Sequence, residues 1–187
     1  MRETFDNARM TLSKICAFCL LTAVGLVACS PALNWRQLTI DSGDVQLLLP
    51  CKPDKARREV TLRVAMKEVP ATLELQGCEA SGMQFTFGQI QVPQGLQASA
   101  AVHAWRLASL APLQIGGDKD QPGDWRLIGA RVDPHPTRTR VMSAKRQAQF
   151  VWFAHGSNIY QAAVYGSNLD KGLPEAAETY FSGIKLP

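Results

Sequence analysis

The sequence of 187 residues has few of the features that identify an enzyme. It contains no serine nucleophile elbow, no phosphate-binding loop, no dinucleotide glycine fingerprint and no HExxH zinc motif. Its three histidines, His103, His135 and His155, are far apart. The chain also lacks a large excess of charge of one sign. Without residues 1–28 its net charge is about +3, which is too small to indicate nucleic-acid binding. We therefore expect no catalysis, no metal ion, no cofactor and no nucleic-acid partner.

Long hydrophobic runs are also scarce, and the one at residues 15–27 is the most informative segment of the chain. Lys14 precedes it, and it is shorter than the roughly 20 residues of a bilayer-spanning helix. Its last residues belong to the segment Leu26-Val27-Ala28-Cys29. Small or apolar residues before a cysteine, as here, resemble the lipobox of bacterial lipoproteins. The resemblance implies that residues 1–28 are a signal peptide, cut before Cys29, and that Cys29 carries diacylglycerol and an acyl chain such as palmitate.

Two other interpretations of this segment stay open, namely an uncleaved transmembrane anchor and a simple signal peptide with an incidental cysteine. Met10 is a second candidate start, because residues 10–14 make a tidier n-region. If Cys29 is acylated, residues 29–34 form a lipidated anchor and tether that holds the domain within ~20 Å of the headgroups, at about 3.5 Å per residue. Ser30 stands where an Asp would retain a lipoprotein on the inner membrane. The resemblance thus implies the outer membrane of the cell envelope, facing the periplasm.

The remaining cysteines predict a disulfide. Cys16 and Cys19 lie in the signal segment and Cys29 is the anchor, so Cys51 and Cys78 form an even pair in an oxidising compartment. The alternative is two free thiols. The alternation of apolar residues raises a doubt, because Cys78 lies off the face that Leu73 and Leu75 share.

The pattern of apolar residues predicts one α+β domain over residues 35–187, with a mostly antiparallel sheet, a central helix and a C-terminal helix. The central helix is predicted over 95–113, with an apolar stripe of Leu96, Ala100, Ala104, Leu107 and Ala111. A loop follows at 116–123, and Pro174 opens the last helix, whose buried face is predicted as Ala177, Tyr180, Phe181 and Ile184. Alternating residues predict strands at 45–49, 60–67, 71–75 and 83–87. Further strands are predicted at 125–132 and 138–144, and strands that are apolar on both sides are predicted at 150–154 and 159–165.

Both ends of this domain resemble small bacterial envelope proteins. The segment Asp44-Val-Gln-Leu-Leu-Leu-Pro-Cys-Lys-Pro53 is similar to their opening strand, and Glu178-Thr-Tyr-Phe-Ser-Gly-Ile-Lys-Leu186 is similar to their closing helix and strand. The order of elements resembles the PsbP-like α/β/α sandwich. That resemblance implies a non-catalytic accessory role with an envelope protein as partner. The alternatives are a periplasmic module that binds a small molecule or a lipid, and, third, an envelope hydrolase.

A basic stretch suggests one further contact. It holds Arg126, Arg131, Arg138, Arg140, Lys145 and Arg146 against a single acid, Asp133. Such a surface could lie on anionic lipid or lipopolysaccharide phosphates. The alternative is a charged edge strand that is protected from aggregation. Trp35, close to the anchor, packs either in the membrane interface or in the core.

Overall fold

Two short helices and nine strands make up the described part of the chain. A computed structural model describes residues 33–40, 45–113 and 123–187, so the predicted signal peptide, Cys29 and most of the predicted loop at 116–123 lie outside the described residues. The described residues from 33 onward belong to one compact unit. The elements are β1 (Arg36–Thr39), β2 (Gln46–Leu49), β3 (Asp54–Val64), β4 (Lys67–Ala80), β5 (Met83–Gln91), α1 (Ala98–Leu110), a 3₁₀ turn (Ala111–Leu113), β6 (Gly123–Asp124), β7 (Thr137–Met142), β8 (Arg146–His155), β9 (Asn158–Ser167) and α2 (Leu173–Ser182).

The main sheet has seven strands in the order β3-β4-β5-β9-β8-β7-β6, and every neighbouring pair is antiparallel. β3, β4 and β5 form an antiparallel meander. β8 and β9 form a central hairpin, in which His155 pairs with Asn158 across a turn at residues 156–157. Gly156 has a φ of 56° there, a conformation that suits glycine in a two-residue hairpin turn. β1 and β2 form a separate antiparallel pair. The α+β class predicted from the sequence is therefore confirmed.

Each face of the main sheet is covered by a different layer, because β8 and β9 are apolar on both sides. On one face, α1 packs over a core that includes Phe150, Trp152, Ala154, Ile159 and Ala163. On the other face, α2 and the β1–β2 pair cover Phe85, Phe87, Phe153, Tyr160 and Val164. The predicted buried face of the last helix is confirmed for Ala177, Tyr180 and Phe181. Ile184 is buried in the same core but lies beyond the end of the helix at Ser182.

The predicted stripe of α1 is wrong in phase. Leu107 is 55% exposed and Ala111 lies at the surface. The buried positions of the helix are Ala98, Ala101, Val102, Ala104 and Trp105. The large Trp105 ring decides the phase, because its burial removes more apolar area from water than any other side chain of the helix could. Its ring lies against Gly88 of β5, where a β-carbon would come within 2.9 Å of Cζ2.

Two strand predictions also need correction. The predicted strand at 60–67 ends at Val64, because Ala65 has a φ of 54° and Met66 lies fully exposed in the β3–β4 turn. The segment 125–132 is irregular rather than a strand. Gly129 turns the chain there with a φ of 84°, and the Ala130 amide donates to the Leu127 carbonyl at 3.2 Å.

The predicted disulfide is confirmed, with the sulfurs of Cys51 and Cys78 2.04 Å apart. The sequence pattern left open whether Cys78 faces Cys51, because Cys78 lies off the face of Leu73. Alternation along β4 explains this difference, since residues five apart on a strand face opposite sides of the sheet. Leu73 packs on the α1 side, whereas Cys78 packs on the α2 side, where Leu47 and Leu49 of β2 are also buried. The bond therefore ties the β1–β2 pair to the main sheet from the face on which that pair lies.

Candidate functional site

The described chain begins beside the disulfide. The Asn34 amide donates to the Pro50 carbonyl at 3.0 Å, next to Cys51. Trp35 is partly buried, and its ring meets Phe85 edge-on at 5.8 Å, as the core-packing alternative predicts. Among the described residues, no helix is long and apolar enough to cross a membrane. The end of the sheet that holds Cys78 is called the disulfide end below.

The opposite end of the sheet is formed by the β3–β4 turn at residues 65–66 and the β8–β9 turn at residues 156–157, and is called the distal end. The pairing register fixes this arrangement, because Cys78 pairs with Phe85 and Phe85 with Val164, six residues along β9 from Asn158. At about 3.3 Å per residue, the two ends lie roughly 20 Å apart along that strand.

The six cations of the basic stretch do not share one face. Arg131 lies at the distal end, where its amide donates to the Ala154 carbonyl at 2.8 Å, whereas Arg146 begins β8. Eight residues of strand separate these two positions, or about 26 Å. Arg138 pairs with Val151 and so lies on the α2 side, while Arg146 alternates with Ala148 toward the α1 side. The other members, Arg126, Arg140 and Lys145, are exposed at separate places.

Arg138 is an internal contact rather than a free cation. Its guanidinium donates to Glu178 Oε2 at 2.7 Å and to Gln149 Oε1 at 2.8 Å. It also lies over the Phe181 ring, 5.3 Å from the centroid. Its side chain is 23% exposed. Arg138 thus joins α2 to β8 across the sheet edge.

The segment 126–132 presents apolar and basic side chains together at the distal end, and is called the 126–132 loop. Ile128 is 94% exposed and Val132 is 87% exposed, and Arg126 and Arg131 of the same loop are exposed as well. The loop is nevertheless held in place. His155 Nδ1 lies 2.8 Å from the Gly129 carbonyl, and a β-carbon at Gly129 would come within 3.0 Å of Leu186.

The histidines are dispersed as the sequence predicts. His103 is exposed on α1, His135 is exposed after the Asp133–Pro134 cis peptide, and His155 is engaged with the 126–132 loop. Among the described residues, no group of three or more His, Cys, Asp or Glu side chains is placed to hold a metal ion.

A polar cleft of about 580 Å³ lies on the α2 side of the sheet toward the distal end. The register builds its floor from two rows of side chains. Arg57, Glu74 and Gln89 pair across β3, β4 and β5 in the first row, which continues to Tyr160 of β9. Two residues further along the strands lie Thr72, Gln91 and Asn158, the last two as cross-strand partners.

The polar cleft has a buried floor and a rim that a backbone hydrogen bond holds in place. Gln89 is only 6% exposed, whereas Gln91 is exposed. The Val92 amide donates to the Ser157 carbonyl at 2.9 Å and fixes the rim. Burial raises the pKa of the neighbouring Tyr160.

The amino-acid sequence alone does not predict this cleft. Thr72 and Glu74 are two residues apart on β4, and Gln89 and Gln91 are two residues apart on β5, so each strand has polar side chains on one face. Spacing within one strand does not show that β4 and β5 are neighbours, nor that their pairing register places these polar side chains side by side. Comparison of the chain with family models, with curated proteins and with solved structures finds no match in any of the three.

Proposed function

We propose that this chain is a lipid-anchored protein of the bacterial cell envelope, whose domain over residues 35–187 binds another envelope protein without catalysing a reaction. One observation carries the proposal: a domain closed by the Cys51–Cys78 disulfide follows a lipobox cysteine after a tether of about six residues. Disulfides persist in oxidising compartments such as the periplasm. The cysteine of the lipobox and the cysteines of the domain therefore support the same location.

The two ends of the sheet predict how the domain is oriented relative to the membrane. With a lipid on Cys29, the disulfide end is held nearer the membrane, because Asn34 is bonded to Pro50 there. The distal end, with the 126–132 loop, then faces away from the anchor. The absence of the Asp at position 30 supports the outer membrane, so that the distal end would project into the periplasm.

The 126–132 loop is the surface we propose for the partner protein. Exposed Ile128 and Val132 supply apolar contact area, and the exposed Arg126 and Arg131 of the same loop supply two positive charges. A protein surface with an apolar centre and an acidic rim would complement this arrangement. A rigid loop of this kind binds at a lower entropic cost than a mobile one.

The finer assignment of the fold also belongs to this proposal. The strands-helix-strands-helix order and the layers on both faces of the sheet support the PsbP-like sandwich that the sequence resembles. Members of that fold that act as accessory or partner-binding proteins then support a non-catalytic role by analogy.

Site-specific cross-linking in cells tests the proposed surface. A photoreactive amino acid replaces Ile128 in one variant and Leu169 in the control, because Leu169 is 82% exposed but follows β9 at the disulfide end. We expect a discrete cross-linked protein from position 128 and none from position 169. Equal products from both positions, or none from position 128, would refute the assigned surface.

A small-molecule-binding module is the second candidate function, and the polar cleft is the observation that favours it. Its volume of about 580 Å³ lies in the range of small-ligand sites. Its lining includes exposed polar side chains such as Gln91, which supports a polar ligand more than a lipid.

A further inference from the structure

A second pocket lies at the disulfide end of the sheet, on the α1 side and beyond the last residues of that helix. Its volume is about 460 Å³, and it is called the end pocket below. The pairing register builds its floor from one row of side chains across five strands, namely Val141, Ala148, Tyr165, Gln84 and Glu79. We propose that the end pocket binds a phosphoethanolamine group, with the phosphate at Arg146 and the ammonium at Glu79.

Two charged side chains of opposite sign border the end pocket. Glu79 ends the floor row on β4, and Arg146 stands on β8, two residues before Ala148 and on the same face. Three strand spacings of about 4.8 Å separate β4 from β8, or roughly 14 Å. The ion pairs among the described residues join other side chains, so Arg146 and Glu79 line the pocket without a salt bridge to each other or to a third described residue.

This separation of charge favours a ligand that carries both signs. A guanidinium donates to phosphate oxygens through parallel N–H bonds, and a carboxylate accepts from an ammonium. A purely anionic ligand would leave Glu79 as a like charge beside it, and a purely cationic ligand would do the same with Arg146. Phosphoethanolamine has a two-carbon chain between its charges, so it spans more of the gap than an α-amino acid such as glycine does.

The floor between the two charges suits the carbon atoms of such a ligand. Val141 and Ala148 are buried, and Leu113 of the 3₁₀ turn adds an apolar wall. The Tyr165 ring is held edge-on against Phe150, with the centroids 5.3 Å apart. These apolar atoms exclude water from one side of the ligand, which strengthens the attraction between its charges and those of the protein.

A lipid bilayer is one source of this group, because phosphoethanolamine is the headgroup of phosphatidylethanolamine. The end pocket lies at the disulfide end, which the proposed lipid on Cys29 holds nearer the membrane. That source rests on the proposed function, whereas the chemistry of the pocket does not. A soluble phosphoethanolamine compound is the other source, and the two are separated below by competition.

Ligand-observed nuclear magnetic resonance titration of the whole protein, in a neutral sugar-based detergent, tests the pocket itself. The probe is soluble phosphoethanolamine; the comparisons are ethyl phosphate, which lacks the ammonium, and glycine. Glu79→Gln and Arg146→Gln are the test variants, since both side chains are exposed and can change without opening the core. Glu175→Gln and Arg140→Gln are the matched controls, because they remove the same charges from exposed positions outside the pocket.

We expect saturable binding of phosphoethanolamine, about tenfold tighter than that of ethyl phosphate or glycine. Arg146→Gln should weaken both phosphate ligands about tenfold, whereas Glu79→Gln should weaken phosphoethanolamine by a similar factor and leave ethyl phosphate no weaker. The controls should bind like the parent protein, and circular dichroism checks that all variants are folded. No binding of phosphoethanolamine at about 10 mM would overturn the proposal. Tighter binding of glycine, or equal losses of both phosphate ligands in Glu79→Gln, would overturn it as well.

A second titration compares the protein in nanodiscs of phosphatidylcholine with and without phosphatidylethanolamine. A choline headgroup has no N–H to donate to Glu79, so the discs differ in the group that the pocket recognises. Weaker binding of the soluble probe in discs with phosphatidylethanolamine would support the lipid headgroup as the source, and equal binding would support a soluble compound. A protein that binds the probe in detergent but is not acylated at Cys29 would contradict the proposed function alone, and an acylated protein that does not bind it would contradict the pocket alone.

Discussion

Arg138 gives the sharpest test of how the domain is held together, because its role differs from that of the other cations in the basic stretch. It donates hydrogen bonds to Glu178 and Gln149 and covers the Phe181 ring. Gln149 is only 1% exposed, so replacing Arg138 by alanine leaves a buried amide oxygen without this donor. The change therefore removes a contact between α2 and β8, and not merely a surface charge.

The size of the effect follows from these contacts. A hydrogen bond that involves a charged group contributes about 1.5–3 kcal/mol, and the partial exposure of Arg138 places this one in the lower part of that range. The ion pair with the exposed Glu178 adds about 0.2–1 kcal/mol and the Phe181 contact about 0.5–1 kcal/mol. We expect Arg138→Ala to lower the free energy of unfolding by about 2–4 kcal/mol.

Urea denaturation followed by tryptophan fluorescence measures this difference. Arg140→Ala is the control, because Arg140 stands two residues further along β7 on the same face and is exposed. Its free energy of unfolding should stay within about 0.5 kcal/mol of the parent protein. If Arg138→Ala were as stable as Arg140→Ala, the internal role of Arg138 would be refuted.

Three more predictions concern stability. Replacing both Cys51 and Cys78 by alanine should cost about 3.5 kcal/mol in urea denaturation, because the bond closes a 27-residue separation; an unchanged midpoint would contradict this. Burial raises the pKa of all three tyrosines, so the stability they contribute is complete below their ordinary pKa of about 10 and is lost as the pH rises through their folded pKa values. Tyrosinate absorbance should therefore appear only as the protein unfolds, and Tyr180→Phe should lessen the alkaline fall in stability; an ordinary titration of the folded protein would refute this. Gly88→Ala places a β-carbon 2.9 Å from Trp105 and should destabilise the domain by about 1–3 kcal/mol in the same denaturation assay; parent-like stability would mean that the ring can move aside.

The elements that the sequence predicts best are those whose environment is uniform along their length. β8 and β9 are apolar on both sides, and the turn between them contains Gly156, so their central position and pairing follow from local pattern. The last helix is similar, since Pro174 marks its start and a single face carries its apolar residues. In these segments local preference and tertiary burial agree.

The elements that the sequence predicts poorly depend on contacts between distant residues. In α1, small alanines occur on several faces, and the buried face is selected by where Trp105 meets Gly88. In the 126–132 loop, β-branched Ile128 and Val132 favour a strand, yet Gly129 turns the chain and leaves Ile128 exposed. The polar cleft is hidden for a related reason, because only the register of β4 and β5 aligns Glu74 with Gln89.

Lipidation at Cys29 is the property on which the proposed envelope location depends. Cells that express the protein are labelled with palmitate, and Cys29→Ala is compared with Cys19→Ala, a cysteine of the same apolar segment that the proposal does not use. The account predicts that the parent and Cys19→Ala proteins incorporate label and sediment with the membrane, and that Cys29→Ala incorporates none and is not processed at that site. A Cys29→Ala protein that is processed and membrane-bound like the parent would contradict the account.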